Sequence, residues 1–317
     1  VRELSPGDEL DCVLHVREAS LVPTKDGRLY VRAVLADRTG TIRANKWDAD
    51  EGALAVFGAG SYVRVRGTAE SYKGQVQLRI EQVRAASSSE VNPADFQVTT
   101  ERDIGELTRE LKRLVRSVKR AELAALLESF FADQDFVERF SRSPAANQYH
   151  HAYLGGLLEH SVSVAIAAEA VAASNDRLDR DLLVAGALLH DIGKVEELSA
   201  EVGFEKTDAG YLVGHVALGA LMLDERMRRL EGFPAQLRLE LLHLVLSHHG
   251  AREYGSPVLP ATAEALALHH LDNLDAKVQA ADAAARSPAP EGSHWSDYVK
   301  MLDARVYRAR TPREGQK

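Results

Sequence analysis

The hydrophobic positions of this chain change period once, near residue 100. Before it, "CVLHVREASLV", "RLYVRAVLAD", "TIRANKW", "SYVRVRGTAES" and "QVQLRIEQVRA" alternate apolar with polar residues, the pattern of strands with one buried face. The breaks between them, "PTKDG", "RTG" and "YKG", carry Pro, Asp and Gly, which suit the restricted or positive φ angles of turns. Five short strands with one weakly helical stretch near 48–57 predict a small closed barrel of the OB type. A polar, proline-containing linker follows, "AASSSEVNPADF".

Beyond the linker, apolar residues recur at helical spacing in "IGELTRELKRLVRSV", "AELAALLESFFADQDFVERF", "AYLGGLLEHSVSVAIAAEAVAAS", "RDLLVAGALLH", "GHVALGALMLDERM", "AQLRLELLHLVLSHH" and "TAEALALHHLDNLDAKVQAADAAA". The predicted architecture is multidomain, a β barrel plus an all-α part. The barrel covers 1–88, a linker with connecting helices 89–145, a helical domain 146–290 and a tail 291–317. In the tail, Trp295, Tyr298 and Tyr307 are expected to pack as a terminal helix, and Arg305, Arg308, Arg310, Arg313 and Lys317 to be solvated. Apolar runs such as "LLVAGALL" fall short of the roughly 20 residues of a membrane span, so no membrane partner is expected.

Composition sharpens this picture in three ways. A net charge of −8 gives no global basic field, so nucleic-acid binding would need a local patch. Cys12 is the single cysteine, which rules out an intramolecular disulfide and points to a reducing, cytoplasmic setting. Of 12 histidines, only His15 precedes residue 150. Whatever needs imidazole lies in the helical half.

There the polar exceptions are of one chemical kind. His160 sits inside an apolar helix, and His190 and Asp191 end the next one. His215 opens "GHVALGALM", His248 and His249 close "LLHLVLSHH", and Asp272 lies within "HHLDNLDAK". Taken singly, each has a bland explanation: a buried imidazole bonded to a carbonyl, a helix-end histidine meeting the dipole, a capping aspartate. Seven independent accidents on five apolar helices are a poorer explanation than one shared metal site. Imidazole mixed with carboxylate suits a divalent transition metal (Mn, Fe, Co, Ni or Zn) better than Mg or Ca.

The ordered series His160, His190-Asp191, His215, His248-His249, Asp272, with Gly193 and Lys194 completing "HDIGK", resembles the HD-domain phosphohydrolases. The phrases "YHHAYLGGLLEHSVSV", "LLVAGALLHDIGK", "LVGHVALG", "LLHLVLSHHG" and "EYGSPVLPATAEALALHHLDNLDAK", following an OB-like barrel, resemble the YhaM-type 3′-to-5′ exoribonucleases. The resemblance covers nearly the whole chain and is weakest in 88–140 and the tail. It implies an HD domain over 146–290 with one or two ions, Mn²⁺ first among the candidates. It also implies that Asp191 bridges two metals, with His160, His190 and Asp272 on one and His215, His248 and His249 on the other. Hydrolysis of single-stranded RNA, or single-stranded DNA, from the 3′ end to nucleoside 5′-monophosphates is likewise implied by the resemblance.

From the residues alone, metal-assisted phosphoester hydrolysis is the supported chemistry, with Asp191 and Lys194 as catalytic candidates. Lys194 is placed to touch a phosphate oxygen, or else to be a solvated helix-end lysine. His150 and His151, about nine residues before His160, are substrate candidates for which packing or capping is the alternative; His269, His270 and Asp275, which share a helix with Asp272, are expected behind the ligands or on the surface rather than among them. On the barrel, Tyr30, Trp47, Tyr62 and Tyr72 are candidate base-stacking residues, with Arg43 and Lys46 flanking Trp47. The competing expectation is that such aromatics fill the barrel core. Two other functions stay open at this level: a phosphohydrolase of mononucleotides or cyclic nucleotides with a regulatory barrel, and a non-catalytic single-strand-binding protein. The segment 100–140 is a candidate for self-association.

Overall fold

A computed structural model describes the chain except residues 2–3, 25, 59, 73–74, 93–94, 97–98, 147–152, 200–205, 287–292 and 309–317. The chain divides into two compact units, Val1–Thr99 and the helical remainder.

The alternating segments form β1 (Glu9–Pro23), β2 (Leu29–Asp37), β3 (Gly40–Lys46), β4 (Tyr62–Tyr72) and β5 (Gln75–Ala85), with α1 (Glu51–Val56) between β3 and β4. They close in the order β1-β2-β3-β5-β4, and β1 pairs again with β4. Closure requires one parallel junction, Arg43 to Asn45 against Gln77 to Arg79, beside otherwise antiparallel pairs. Inward positions carry Leu14, Val16, Val31, Leu35, Ile42, Val63, Val65, Leu78 and Ile80, all buried in one core with Phe57. The β4–β5 register shifts at Gly67, where a Cβ would lie 2.2 Å from the Arg79 carbonyl oxygen. Only glycine lets the two backbones approach there. The weakly helical stretch is α1, capped by Asp50, whose side chain accepts from Ala53 N at 2.8 Å.

The second unit contains α2 (Ile104–Ser117), α3 (Ala121–Phe131), α4 (Gln134–Arg142), α5 (Gly156–Ser174), α6 (Arg180–Leu189), α7 (Lys194–Glu197), α8 (Asp208–Leu212), α9 (His215–Arg229), α10 (Ala235–Ser247) and α11 (Ala263–Arg286). The segment read as one helix over 121–140 is two, because Asp133 caps the second by accepting from Phe136 N. Leu107, Leu111, Leu114, Leu126, Phe130, Phe136 and Phe140 of α2–α4 enter the same core as α5 and α6.

Helix α5 is long and apolar enough to cross a membrane by length and composition, which the shorter apolar runs had not suggested. Eleven of its residues are buried, among them Glu159, His160 and Ser161, and it packs against α2, α4, α6 and α11. The tail differs from the expected helix. Trp295–Val299 (β6) and Ala304–Tyr307 (β7) form an antiparallel hairpin on α11, turning at Asp303 with φ 51°. Alternating aromatics and a β-branched Val306 favour the strand there. Arg305 is exposed on β7, whereas Arg308 is half-buried and donates to the Ala285 carbonyl at 2.9 Å, so the start of the basic end is structured; Arg310, Arg313 and Lys317 lie outside the described residues.

Candidate metal centre

Five helices bring their polar exceptions to one point. His160 Nε2 lies 3.2 Å from His190 Nε2 and 3.2 Å from Asp272 Oδ1. His215 Nε2 lies 3.3 Å from His249 Nε2. Asp191 stands between these two groups with its oxygens divided. Oδ2 is 3.6 Å from His160 and 3.3 Å from His190, whereas Oδ1 is 3.5 Å from both His215 and His248. Within each of the sets His160–His190–Asp272, His190–Asp191–His248 and His215–His248–His249, one ligand atom per residue lies within 4.8 Å of the others.

The neighbouring backbone explains why the chain can place them so closely. Gly193, two residues after Asp191, has helical backbone angles (φ −64°), so no positive φ calls for a glycine there. It is glycine because a Cβ would sit 2.0 Å from the His215 carbonyl oxygen and 2.5 Å from Gly219 N. That contact seats α9, and with it His215, against the turn bearing Asp191. Gly250 ends α10 with φ 77°, and a Cβ there would meet the His269 ring at 2.2 Å. His269 Nδ1 in turn donates to the His248 carbonyl at 2.9 Å.

Every imidazole has its outer nitrogen engaged. His190 Nδ1 donates to Ala187 O at 2.8 Å, His248 Nδ1 to Val245 O at 2.6 Å and His249 Nδ1 to Tyr254 O at 2.7 Å. His160 Nδ1 meets Asp275 Oδ2 at 2.7 Å, and His215 Nδ1 meets Glu197 Oε2 at 2.9 Å. A carbonyl can only accept, so those rings carry the proton on Nδ1 and turn the Nε2 lone pair inward. Two inward atoms, Asp191 Oδ1 and His248 Nε2, are buried without a hydrogen-bond partner among the described residues. Orphaned acceptors are costly unless a ligand satisfies them, and nitrogen and carboxylate oxygen together fit a divalent transition metal.

The two halves differ electrostatically. Burial alone would depress His160, but hydrogen bonds to Asp272 and Asp275 outweigh it and push the ring up to about 10. Burial lowers His215 and His248, and takes His249 down to about 4. Burial also opposes the Asp191 charge, yet Lys194 and His190 hold its carboxyl well below the usual range. Lys194 is not a solvated helix-end residue: it is buried, with Nζ 2.5 Å from Asp191 Oδ2.

An HD-domain family profile matches residues 157–277, which span all seven predicted ligands. A profile described as an OB-fold nucleic acid binding domain matches 13–86, and one described as a putative helicase matches 90–201. The chain is 34% identical over 302 residues to the 3′-5′ exoribonuclease YhaM of Bacillus subtilis strain 168, covering 95% of each chain. The chain belongs to the YhaM family. The YhaM protein of Bacillus licheniformis is 32% identical over the same share of both chains.

In this YhaM-family chain the structure brings together His160, His190, Asp191, His215, His248, His249 and Asp272, with Lys194 beside them. His150 and His151 lie outside the described residues. The remaining candidates are on the barrel. Trp47, 41% exposed, stacks on Tyr30 with centroids 4.6 Å apart, and both line a cavity of about 670 Å³ with Arg28 and Asp48. Tyr72 at the end of β4 is 59% exposed, Arg43 is exposed on β3 and Lys46 is half-buried. Tyr62 instead packs on His15 and Phe96. Sequence reasoning gave no role to Glu197, and it left Asp275 between a place behind the ligands and one on the surface; Asp275 stands behind His160. Asp275 had a signal, since it is three residues from Asp272 on one helix. Glu197 had none, because "KVEELS" reads as a solvated run.

Proposed function

We propose that this chain is a metal-dependent 3′-5′ exoribonuclease acting on single-stranded RNA, with single-stranded DNA as a second substrate to be tested. The observation that carries this is the match to exoribonuclease YhaM over 95% of both chains, joined to a convergent cluster of imidazole and carboxylate. The reading assigns His160, His190 and Asp272 to one ion, His215, His248 and His249 to a second, and Asp191 to both. A bound divalent ion supplies Lewis-acid charge that lets water ionise near neutral pH and offsets charge on a phosphate. Mn²⁺ is the ion we propose.

His160, His190, Asp191 and His248 are each no more than 1% exposed and form the floor of the centre. Asp272 and His215 keep 16% and 14% of their side chains open, and His249 is half-buried, so substrate approaches over these three. Lys194 adds a fixed positive charge against Asp191, placed to hold an anionic phosphate oxygen. His150 and His151 are assigned to the substrate through their position before α5. On the barrel, Trp47 stacked on Tyr30, together with Tyr72, offers aromatic faces to bases, and Arg43 and Lys46 offer charge to phosphates.

The test is incubation of the purified chain with 5′-labelled single-stranded RNA and Mn²⁺, with Fe, Co, Ni, Zn and a DNA strand as parallel arms. Progressive shortening from the 3′ end with release of 5′-monophosphates, absent in Asp191→Ala, is expected. RNA left full-length in every metal arm overturns the reading.

A further inference from the structure

The two halves of the centre are unequal in charge, and the imbalance has a structural answer. The half built from His160, His190 and Asp272 shares Asp191, so two carboxylates face it. Among the described residues, the half built from His215, His248 and His249 has Asp191 Oδ1 as its one inward carboxylate oxygen. Two of its imidazoles rest on neutral backbone carbonyls, those of Val245 and Tyr254. The third, His215, rests on Glu197, a carboxylate only 5% exposed, at 2.9 Å.

Glu197 is itself held firmly. Its other oxygen accepts from Lys206 Nζ at 2.9 Å, and its backbone carbonyl accepts from Thr207 N at 2.9 Å. Gly210 of α8 packs so tightly on it that a Cβ would lie 2.4 Å from the Glu197 carbonyl oxygen. Residues 194–197 are α7, which begins three residues after Asp191. The bridging carboxylate and the carboxylate behind His215 are therefore placed by one short, continuous segment.

We propose that Glu197 is the positioning residue of the three-imidazole half: it fixes His215 with Nε2 inward and supplies the second negative charge that this half lacks. The proposal rests on the cluster being a metal centre. A carboxylate behind a ligating imidazole orients the ring and raises its basicity, and losing such a partner typically weakens metal affinity 10–100-fold.

The test uses the full chain, stripped by chelation and titrated with Mn²⁺ by calorimetry and with Co²⁺ by visible absorption. The native chain is expected to bind two ions. Glu197→Ala should keep one at native affinity and weaken the other 10–100-fold, with loss of one component of the Co²⁺ spectrum. Glu197→Gln, which can still accept a hydrogen bond but carries no charge, should fall between and guards against misfolding of the alanine variant. The double variant Glu197→Ala, His215→Ala should bind no worse than His215→Ala alone, because Glu197 acts through that ring. Native affinity for both ions in Glu197→Ala and Glu197→Gln overturns the proposal. So does equal loss of both ions, or a native chain whose single ion both variants retain. A native chain that binds no divalent ion removes the metal reading, and this proposal falls with it.

Discussion

The two units of this chain bury polar side chains in opposite ways. Among the described residues of the barrel, His15 is the one fully buried polar side chain, and the barrel's charged groups pair near the surface, as Arg64 does with Asp11 and Glu90. The helical unit buries Glu159, His160, His190, Asp191, Lys194, Glu197 and His248 among its leucines. Exposed ion pairs are worth ~0–1 kcal/mol each, so the barrel owes its stability to apolar burial and leaves its chemistry outside. Buried charges cost several kcal/mol unless paired. A helical unit that concentrates them is built around whatever satisfies them.

The sharpest way to break this contrast is to remove the group that both halves of the centre share. Asp191→Ala takes away the oxygen facing His160 and His190, the one facing His215 and His248, and the partner of Lys194. Metal binding and RNA hydrolysis should fall together to background. The metal-free chain should lose about 3–5 kcal/mol, because Lys194 is left as a buried unpaired charge. Metal analysis, a labelled-RNA assay and urea unfolding check the three outcomes. Hydrolysis that survives the loss of metal would show that the buried cluster is structural.

The complementary change in the barrel is Leu78→Ala, at a fully buried position of β5. It should cost about 2–5 kcal/mol of barrel stability through lost transfer energy and a residual cavity, while the helical unit keeps its full metal content. Reduced metal content in this variant would mean that the two units do not keep separate accounts of stability and chemistry. On the barrel surface, Trp47→Ala removes a ring stacked on Tyr30. RNA affinity should drop by about 1–3 kcal/mol, the usual worth of one base–aromatic stack, measured by fluorescence anisotropy in Asp191→Ala protein so that the RNA stays intact. Unchanged affinity would return Trp47 to the barrel's packing.

How far each unit could be read from sequence follows from the same contrast. Period-two alternation marks β2 and β4 because each has one face in the core, as the burial of Val31, Ala33 and Leu35 shows. The surface roles of Trp47 and Tyr62 were not separable, since both are strand-associated aromatics; only the fold turns Tyr62 onto Phe96 and leaves Trp47 at the rim. In the helical unit the reverse held. His160, His190, Asp191 and His248 stood out because imidazole and carboxylate are improbable on apolar helices. What the spacing did not carry was Glu197 behind His215, because that contact joins segments distant in sequence, whereas His269, sharing a helix with Asp272, stands behind the ligands on the His248 carbonyl. The tail hairpin was missed because aromatics spaced through "HWSDYVKML" fit a helix face as well as a strand.

His15 offers the smallest and most selective test, since it is the barrel's exception to its own rule. Neither ring nitrogen has a well-formed hydrogen bond among the described residues, the Gly60 backbone offering a weak contact, and the ring packs 5.3 Å from Tyr62. Burial first, and the nearby Arg17 second, push it down to about 4, against about 6.5 in an unfolded chain. Between those values the unfolded chain takes up a proton that the folded barrel refuses, so stability falls as pH drops from about 6.5 towards 4 and is complete above that window. The native chain should lose about 1–2 kcal/mol more than His15→Leu between pH 6.5 and 5, read as the difference between two urea-unfolding series. Taking that difference cancels the helical unit, where burial also holds His249 down to about 4. In the same experiment, saturating Mn²⁺ should flatten the pH dependence of the helical unit and leave the His15 increment untouched. An increment that vanishes with metal would mean that the barrel's buried imidazole and the helical cluster respond to one ligand, and that the division of polar burial between the two units does not hold.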